Sequence, residues 1–220
     1  MKRVALFLSL TVMALLSACS SPPVRYHTLL TPASPASPAS PAATLSFMAN
    51  ATHAAPFFID VLPVGVPAQL DTSQLVIRQG DSGAVVLDND RWLSPLSEEI
   101  RTALSADLTQ RLNTQDVSGL VRSADTPVVR IQLQVRRFDS WPGQSVTFDA
   151  DWSLSAVGKE DERARLICRS QFTEPSANSD TAMLHAQQQV ITRLAEQIAA
   201  TATRWMPDRQ GTCLTPPLRP

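Results

Sequence analysis

The chain has 220 residues and a formal net charge of −1. It is long enough to bury one core of ordinary size, and it has no net positive charge with which to attract nucleic acid. Its 17 prolines and 7 glycines are an unusual balance, and many of the prolines fall in a single stretch.

The chain begins with the pattern of a secretory signal peptide. Residues 1–3 are Met-Lys-Arg, and residues 4–16 form an almost uninterrupted apolar run. This run is about 13 residues long, shorter than the roughly 20 residues of a membrane-spanning helix. A positive start, a short apolar run and small residues predict a signal peptide over residues 1–18.

The four residues that end this segment, Leu-Ser-Ala-Cys at 16–19, resemble the lipobox of bacterial lipoproteins. The resemblance implies that Cys19 is acylated and becomes the first residue of the mature chain. Ser20 follows it, and the lack of Asp at that position resembles outer-membrane sorting. We therefore expect a lipid-anchored protein on the periplasmic face of the outer membrane. The alternative is an ordinary signal peptide in which Cys19 is incidental.

Residues 31–43 repeat a Ser-Pro-Ala unit that favours an extended, solvated path and buries little surface. Residues 19–55 are therefore predicted to be a lipidated N-terminus followed by a linker or loop. The folded domain is predicted over residues 56–206, and residues 207–220 form a C-terminal tail.

The first half of the domain is predicted to contain strands followed by a helix. Residues 57–62 are apolar and β-rich, and residues 75–78 and 84–87 flank a Gly-Asp-Ser-Gly turn typical of a hairpin. Ser94 and Pro95 suit the start of a helix. The apolar stripe that follows is Leu96, Ile100, Ala103, Leu104, Leu108 and Leu112.

The second half contains three alternating strands and a long helix. Apolar and polar residues alternate over 129–136, 146–156 and 164–172, which predicts antiparallel strands with one buried and one wet face. A helical stripe then runs from Leu184 to Trp205, and Pro207 stops it. A further small strand is possible at 117–122. The fold class is α+β: a mostly antiparallel sheet with two main helices packed on one face.

Few residues point to catalysis. His27, His53 and His185 lie far apart without metal-ligand spacing. Asp149 and Asp151 share a strand face and are an acid–base pair in principle, but a solvated face fits their alternation with apolar residues better. We predict no catalytic residue, no metal and no cofactor.

Several arginines share the predicted wet face. At this position they could bind lipid phosphates or an acidic partner. The alternative, which we favour, is that they simply face solvent. The residues are Arg130, Arg136, Arg137, Arg163, Arg165 and Arg169.

Two cysteines remain once Cys19 is acylated. Because the periplasm is oxidising, we predict a disulfide between Cys168 and Cys213 that closes a loop of roughly 45 residues and pins the tail. The alternatives are a buried free thiol at Cys168 and a loose or intermolecular Cys213.

A set of short segments, in order, resembles the ABC-type transport auxiliary lipoproteins. The segments are Tyr-His-Thr-Leu at 26–29, VLPVGVPAQL at 61–70, and Trp-Leu-Ser-Pro-Leu at 92–96 with the leucines of its helix. His27 departs from the family's second Tyr, the Ser-Pro-Ala run lengthens the next loop, and the tail with Cys213 has no counterpart.

The resemblance implies a docking component of a system that moves lipids between envelope membranes. Its implied partner is an MCE-domain protein of the inner membrane, and a homo-oligomer is possible. The alternative is a carrier that binds lipid between sheet and helices. No feature of the sequence favours an enzyme.

Overall fold

The structure is a computed structural model that describes residues 22–31, 54–121, 127–157 and 164–215. Seven strands and two helices follow one another along these residues. They are β1 (Arg25–His27), β2 (Phe58–Val61), β3 (Gln74–Gln79), β4 (Gly83–Trp92), α1 (Leu96–Leu112), β5 (Val128–Trp141), β6 (Ser145–Val157), β7 (Arg165–Pro175) and α2 (Asp180–Trp205).

The predicted α+β class is confirmed, and the strands divide between two sheets. One sheet has the order β1-β4-β3 and the other the order β2-β5-β6-β7. The predicted hairpin of β3 and β4 and the meander of β5, β6 and β7 are antiparallel as expected. The pairs β1–β4 and β2–β5 are parallel, and each joins segments that are distant in sequence, as parallel pairs must.

The two helices begin differently, and only α2 has a side-chain N-cap. In α2 the Ser179 hydroxyl accepts a hydrogen bond from the Ala182 amide at 3.2 Å, as an N-cap does. In α1 the predicted cap Ser94 instead donates to the Glu99 carboxylate at 3.0 Å. Asn113 ends α1 in the left-handed conformation with φ 46°, which asparagine tolerates better than most residues.

The core lies between the four-stranded sheet and the helices. Along β6 every second residue is buried, from Val146 to Ala156, which is the period expected of a strand with one covered face. Helix α2 packs against β5, β6 and β7, and α1 packs against α2. The opposite face of β5, β6 and β7 carries mostly polar side chains.

The folded domain starts earlier than the sequence indicated. Residues 25–27 pair with 90–92 of β4, and Leu29 is only 1% exposed in the core. In the sequence the Ser-Pro-Ala stretch therefore falls between β1 and β2, and the described chain after it is held by a 2.8 Å hydrogen bond from the Ala55 amide to the Leu112 carbonyl. Only the residues before β1 separate Cys19 from the domain.

The possible small strand at 117–122 is not formed in the part that the structure describes. An isolated parallel bridge joins Asp116 to Ile59 instead, and the Val117 amide donates to the Ile59 carbonyl at 2.8 Å. Residue 122 lies outside the described residues.

Candidate functional site

The predicted signal peptide and Cys19 lie outside the described residues. Across the described part of the chain, none of the helices has the length and apolar character needed to cross a bilayer. The segment that leads to Cys19 is nevertheless well defined from residue 22 onward, and the way in which it is attached to the domain is informative.

Asp90 on β4 binds the side chains of two residues near the start of this segment. Its carboxylate lies 2.8 Å from Arg25 Nη2 and 2.8 Å from His27 Nε2, and Arg25 also contacts Asp180 at the start of α2, at 2.9 Å. Burial would raise the pKa of Asp90, but the hydrogen bonds from Arg25 and His27 outweigh it and hold that pKa below its usual value. Asp90 is therefore ionised at neutral pH.

Glu99 of α1 holds the next residues. Its carboxylate is buried, and it accepts hydrogen bonds from the Thr28 hydroxyl at 2.8 Å, the Leu29 amide at 3.0 Å and the Ser94 hydroxyl at 3.0 Å. The position of Glu99 in the first turn predicts only a favourable interaction with the helix dipole. Its contacts with Thr28 and Leu29 join residues about 70 positions apart, which local patterns do not reveal.

The structure brings the two predicted disulfide partners together. The Cα atoms of Cys168 and Cys213 lie 5.7 Å apart, within the range that a disulfide spans. The tail is also held by Gln197 of α2, whose amide donates to the Leu214 carbonyl at 2.6 Å. The oxidation state of the pair in the periplasm remains a prediction.

The Gln197 side chain is the last member of a buried series of hydrogen-bonded side chains. Trp152 Nε1 donates to the Ser170 hydroxyl at 2.7 Å, and that hydroxyl donates to Gln197 Oε1 at 2.7 Å. Each of these buried groups is thus satisfied, as buried polar atoms in a core must be. The tail is connected to this series directly, because the Leu214 carbonyl binds the nitrogen of the same amide.

Four of the predicted wet-face arginines are paired with aspartates, whereas Arg165 is exposed on β7. Arg130 contacts Asp60 at 3.1 Å, Arg136 contacts Asp151 at 2.8 Å, and Arg169 contacts Asp149 at 2.6 Å. Arg137 contacts Asp139, and Arg163 lies outside the described residues. This pairing supports the solvated interpretation of the face, because four of its guanidinium groups already contact carboxylates.

Asp149 and Asp151, which share the predicted strand face, each contact an arginine. The hydrogen bond from Arg169 lowers the pKa of Asp149 against the opposing effect of burial, with help from Gln171. Asp149 is therefore ionised at neutral pH, whereas a general acid needs a raised pKa. Both carboxylates are engaged by arginines, which is the arrangement of a structural ion-pair face.

The structure describes two of the three histidines, and they have different neighbours. His27 contacts Asp90, and His185 lies on the exposed side of α2, 3.4 Å from Gln189. His53 lies outside the described residues. Within the described ranges, no group of three or more His, Cys, Asp or Glu side chains is placed to hold a metal ion.

A groove of about 310 Å³ lies between β3 and the last residues of β5. Its walls are largely apolar and include Ile77, Val86 and Phe138, and Arg78 and Arg136 also line it. The Arg78 guanidinium contacts Asp139 across the gap at 2.8 Å. The groove lies between a hairpin and a sheet edge, not between sheet and helices as the carrier alternative supposed.

Comparison with known proteins identifies the family. Residues 37–199 match the model of the ABC-type transport auxiliary lipoprotein component, so the chain belongs to that family. Among curated proteins, no sequence matches this chain significantly.

Two solved structures share the fold. An uncharacterized protein is 20% identical with a TM-score of 0.53, and the match covers 67% of this chain and 95% of that one. A protein of Xanthomonas campestris is 17% identical with a TM-score of 0.51, and the match covers 67% of this chain and 84% of that one. At this identity the likeness concerns the fold alone.

Proposed function

We propose that this chain is a lipid-anchored periplasmic component of an intermembrane transport system, and that it acts by docking to an MCE-domain protein of the inner membrane. Its role is to support lipid transport and envelope integrity, from the periplasmic face of the outer membrane. The observation that carries the proposal is the family match over residues 37–199, which covers most of the folded domain.

The organisation of the domain supports action by contact. Asp60, Asp139, Asp149 and Asp151 are each contacted by an arginine, so these carboxylates are held in place by ion pairs. Some exposed apolar side chains interrupt the polar surface: Ile167 on β7 is 71% exposed, and Leu120 and Val121 after α1 are 64% and 104% exposed. These are the positions at which we propose that the partner makes apolar contact.

The docking proposal is tested by purifying the lipidated protein together with the MCE-domain protein encoded nearest to it. We expect the two to co-elute, and we expect Ile167→Glu or Leu120→Glu to weaken the complex. Thr173→Glu, at an exposed position on the same face of β7 as Ile167, is the matched control because it adds the same single negative charge. Failure to capture any MCE-domain protein, together with a strict monomer by light scattering at high concentration, contradicts docking and self-association alike.

The anchor has its own test. Replacing Cys19 with Ala should release the protein from the membrane fraction or mislocalise it, because several acyl chains form a stable anchor where one is marginal. Mass spectrometry of the mature N-terminus should find an acylated Cys19. An unmodified N-terminus beyond Cys19 contradicts the anchor.

The groove beside β3 favours a second candidate function, that of a lipid-binding carrier. It joins apolar walls to Arg78 and Arg136, whose guanidinium groups each contact one aspartate and have further N–H groups that can donate to the polar head of an amphipathic ligand. Purified protein should then co-extract about one phospholipid per chain. Ala84→Trp, which fills the groove, should abolish this, whereas Ala106→Trp on the exposed side of α1 should not. Absence of bound phospholipid from the unaltered protein contradicts the carrier.

A further inference from the structure

The described domain has two distinct ends, and the segment that leads to Cys19 leaves toward one of them. Strand β5 runs from Val128 to Trp141, a length of about 43 Å at the usual rise per residue. At the Trp141 end lie the β3–β4 turn at 80–83 and the β5–β6 turn at 142–144; Gly80, Asp81 and Trp141 line one surface depression. We call this end the turn end.

The other end is defined by the neighbours of Val128. Strand β2 begins there, opposite Val128, and the Phe58 amide donates to the Pro127 carbonyl at 2.9 Å. Helix α1 ends nearby, since the Thr114 hydroxyl donates to the Phe57 carbonyl at 2.6 Å. We call this end the distal end. The described chain resumes at this end after residue 53, where the Ala55 amide donates to the Leu112 carbonyl.

The direction of β1 indicates the end of the domain toward which the chain leads to Cys19. Because β1 is parallel to β4 with Arg25 opposite Asp90, the residues before Arg25 run toward the start of β4, which is the β3–β4 turn. Arg25 also contacts Asp180, at the start of α2. The residues just before α2 adjoin the β5–β6 turn, because a Cβ on Gly143 would lie 3.3 Å from Asn178.

The connection to Cys19 is short. Cys19 and Arg25 are six residues apart, a span of at most about 20 Å. Pro22 and Pro23 favour an extended path for part of it. The β3–β4 hairpin itself extends seven residues beyond Asp90 to Gly83, or about 23 Å along the strand. The connection is thus no longer than the hairpin beside it.

From this geometry we propose that the turn end lies against the bilayer that holds Cys19, and that the distal end points away from it into the periplasm. The inference rests on the proposed lipid anchor and adds an orientation to it. The partner surface is the phospholipid headgroup region, and the contacts are the turns at 80–83 and 142–144.

The side chains of the turn end suit a neutral membrane surface. Asp81 is the charged residue of the two turns, and the remaining residues there are small, polar or proline. Trp141 is half-buried beside them, and tryptophan favours the membrane–water interface. The contact therefore requires no anionic lipid.

The orientation is tested with the full lipidated protein in phosphatidylcholine vesicles that carry a nitroxide on the headgroup. A fluorophore is placed on Asp81→Cys at the turn end or on Gln110→Cys near the distal end, both exposed positions. We expect the nitroxide to quench the Asp81 label several-fold more than the Gln110 label. Adding phosphatidylglycerol should not change that ratio.

A longer connection gives a matched second test. Ten Gly-Ser residues inserted between Ser21 and Pro22 should reduce quenching of the Asp81 label, whereas the same insertion between Pro41 and Ala42 should not. Protein that floats with the vesicles but shows equal quenching of both labels overturns the orientation and leaves the docking role intact. Protein that fails to float overturns the anchor itself.

Discussion

The two ends of the described chain are both attached to the domain, but by different physical means. The N-terminal segment, residues 25–31, is held by a short parallel strand, the buried Leu29 and the carboxylates of Asp90 and Glu99. The C-terminal tail, residues 208–215, is held by Cys213 and by hydrogen bonds to Gln197 and Thr201.

This difference shows what each attachment requires of the sequence. A segment that contributes a strand and a core leucine is stabilised by burial and charge, so it responds to side-chain volume and to pH. A tail without periodicity gains little from burial, so its order depends on a covalent link and a few polar contacts. Four experiments test this contrast, in decreasing order of the effect that we expect.

Removing the cysteine pair should have the largest effect. We expect the double variant Cys168→Ser, Cys213→Ser to lose up to about 4 kcal/mol of unfolding free energy, the value that chain entropy gives a loop of this length. Urea titration measures the loss. On the unaltered protein, a thiol count under denaturing and non-reducing conditions should find none free, and two free thiols per chain would contradict the bridge.

Shortening the core side chain of the N-terminal segment comes next. Leu29→Ala should cost about 3 kcal/mol, because it leaves a cavity in a site that is 1% exposed. Leu30→Ala, at a neighbour that is 36% exposed, should cost well under half as much in the same urea titration. Equal costs for the two variants would show that the segment is not docked in the core.

Two glutamines of α2 allow the attachments of the N-terminal segment and of the tail to be compared directly. Gln197 is buried and donates to the Leu214 carbonyl of the tail. Gln188 is half-buried and donates to the Thr28 carbonyl of the N-terminal segment at 3.0 Å. Gln197→Leu should cost about 2 kcal/mol, since it leaves the buried Ser170 hydroxyl without its acceptor. Gln188→Leu should cost under about 1 kcal/mol, because water replaces its bond. Thermal unfolding that ranks them in the reverse order contradicts this account.

The smallest expected effect concerns pH. The pKa of Asp90 is lowered in the folded state, so its contribution is fully present above its unfolded pKa of about 3.9 and is lost as pH falls through the folded value. Asp90→Asn should therefore cost about 1 kcal/mol at neutral pH, a modest value because Arg25 is largely exposed. The cost should fade below about pH 4.

Asp88→Asn is the control for that experiment, because it removes the same charge from an exposed position on the same strand. Unfolding free energies measured from pH 7 to pH 3 compare the two variants. A cost for Asp90→Asn that is constant over this range would mean that its ion pairs do not stabilise the fold.

Elements with a repeating pattern were predictable from the sequence. The alternation along β6 and the stripe of α1 locate a strand and a helix, because each pattern reports which side faces the core within a few residues. The pairing of Cys168 with Cys213 was proposed from cysteine number and compartment, and their Cα separation in the structure permits it.

The α+β class, most of the elements and the family were thus accessible from the amino-acid sequence, because they depend on local periodicity and short ordered segments. Three features required the folded chain: residues 25–31 join the domain, Glu99 is buried as their acceptor, and the strands form two sheets. A three-residue strand has no period to detect, and its stability comes from partners such as Asp90, 65 residues further along the chain.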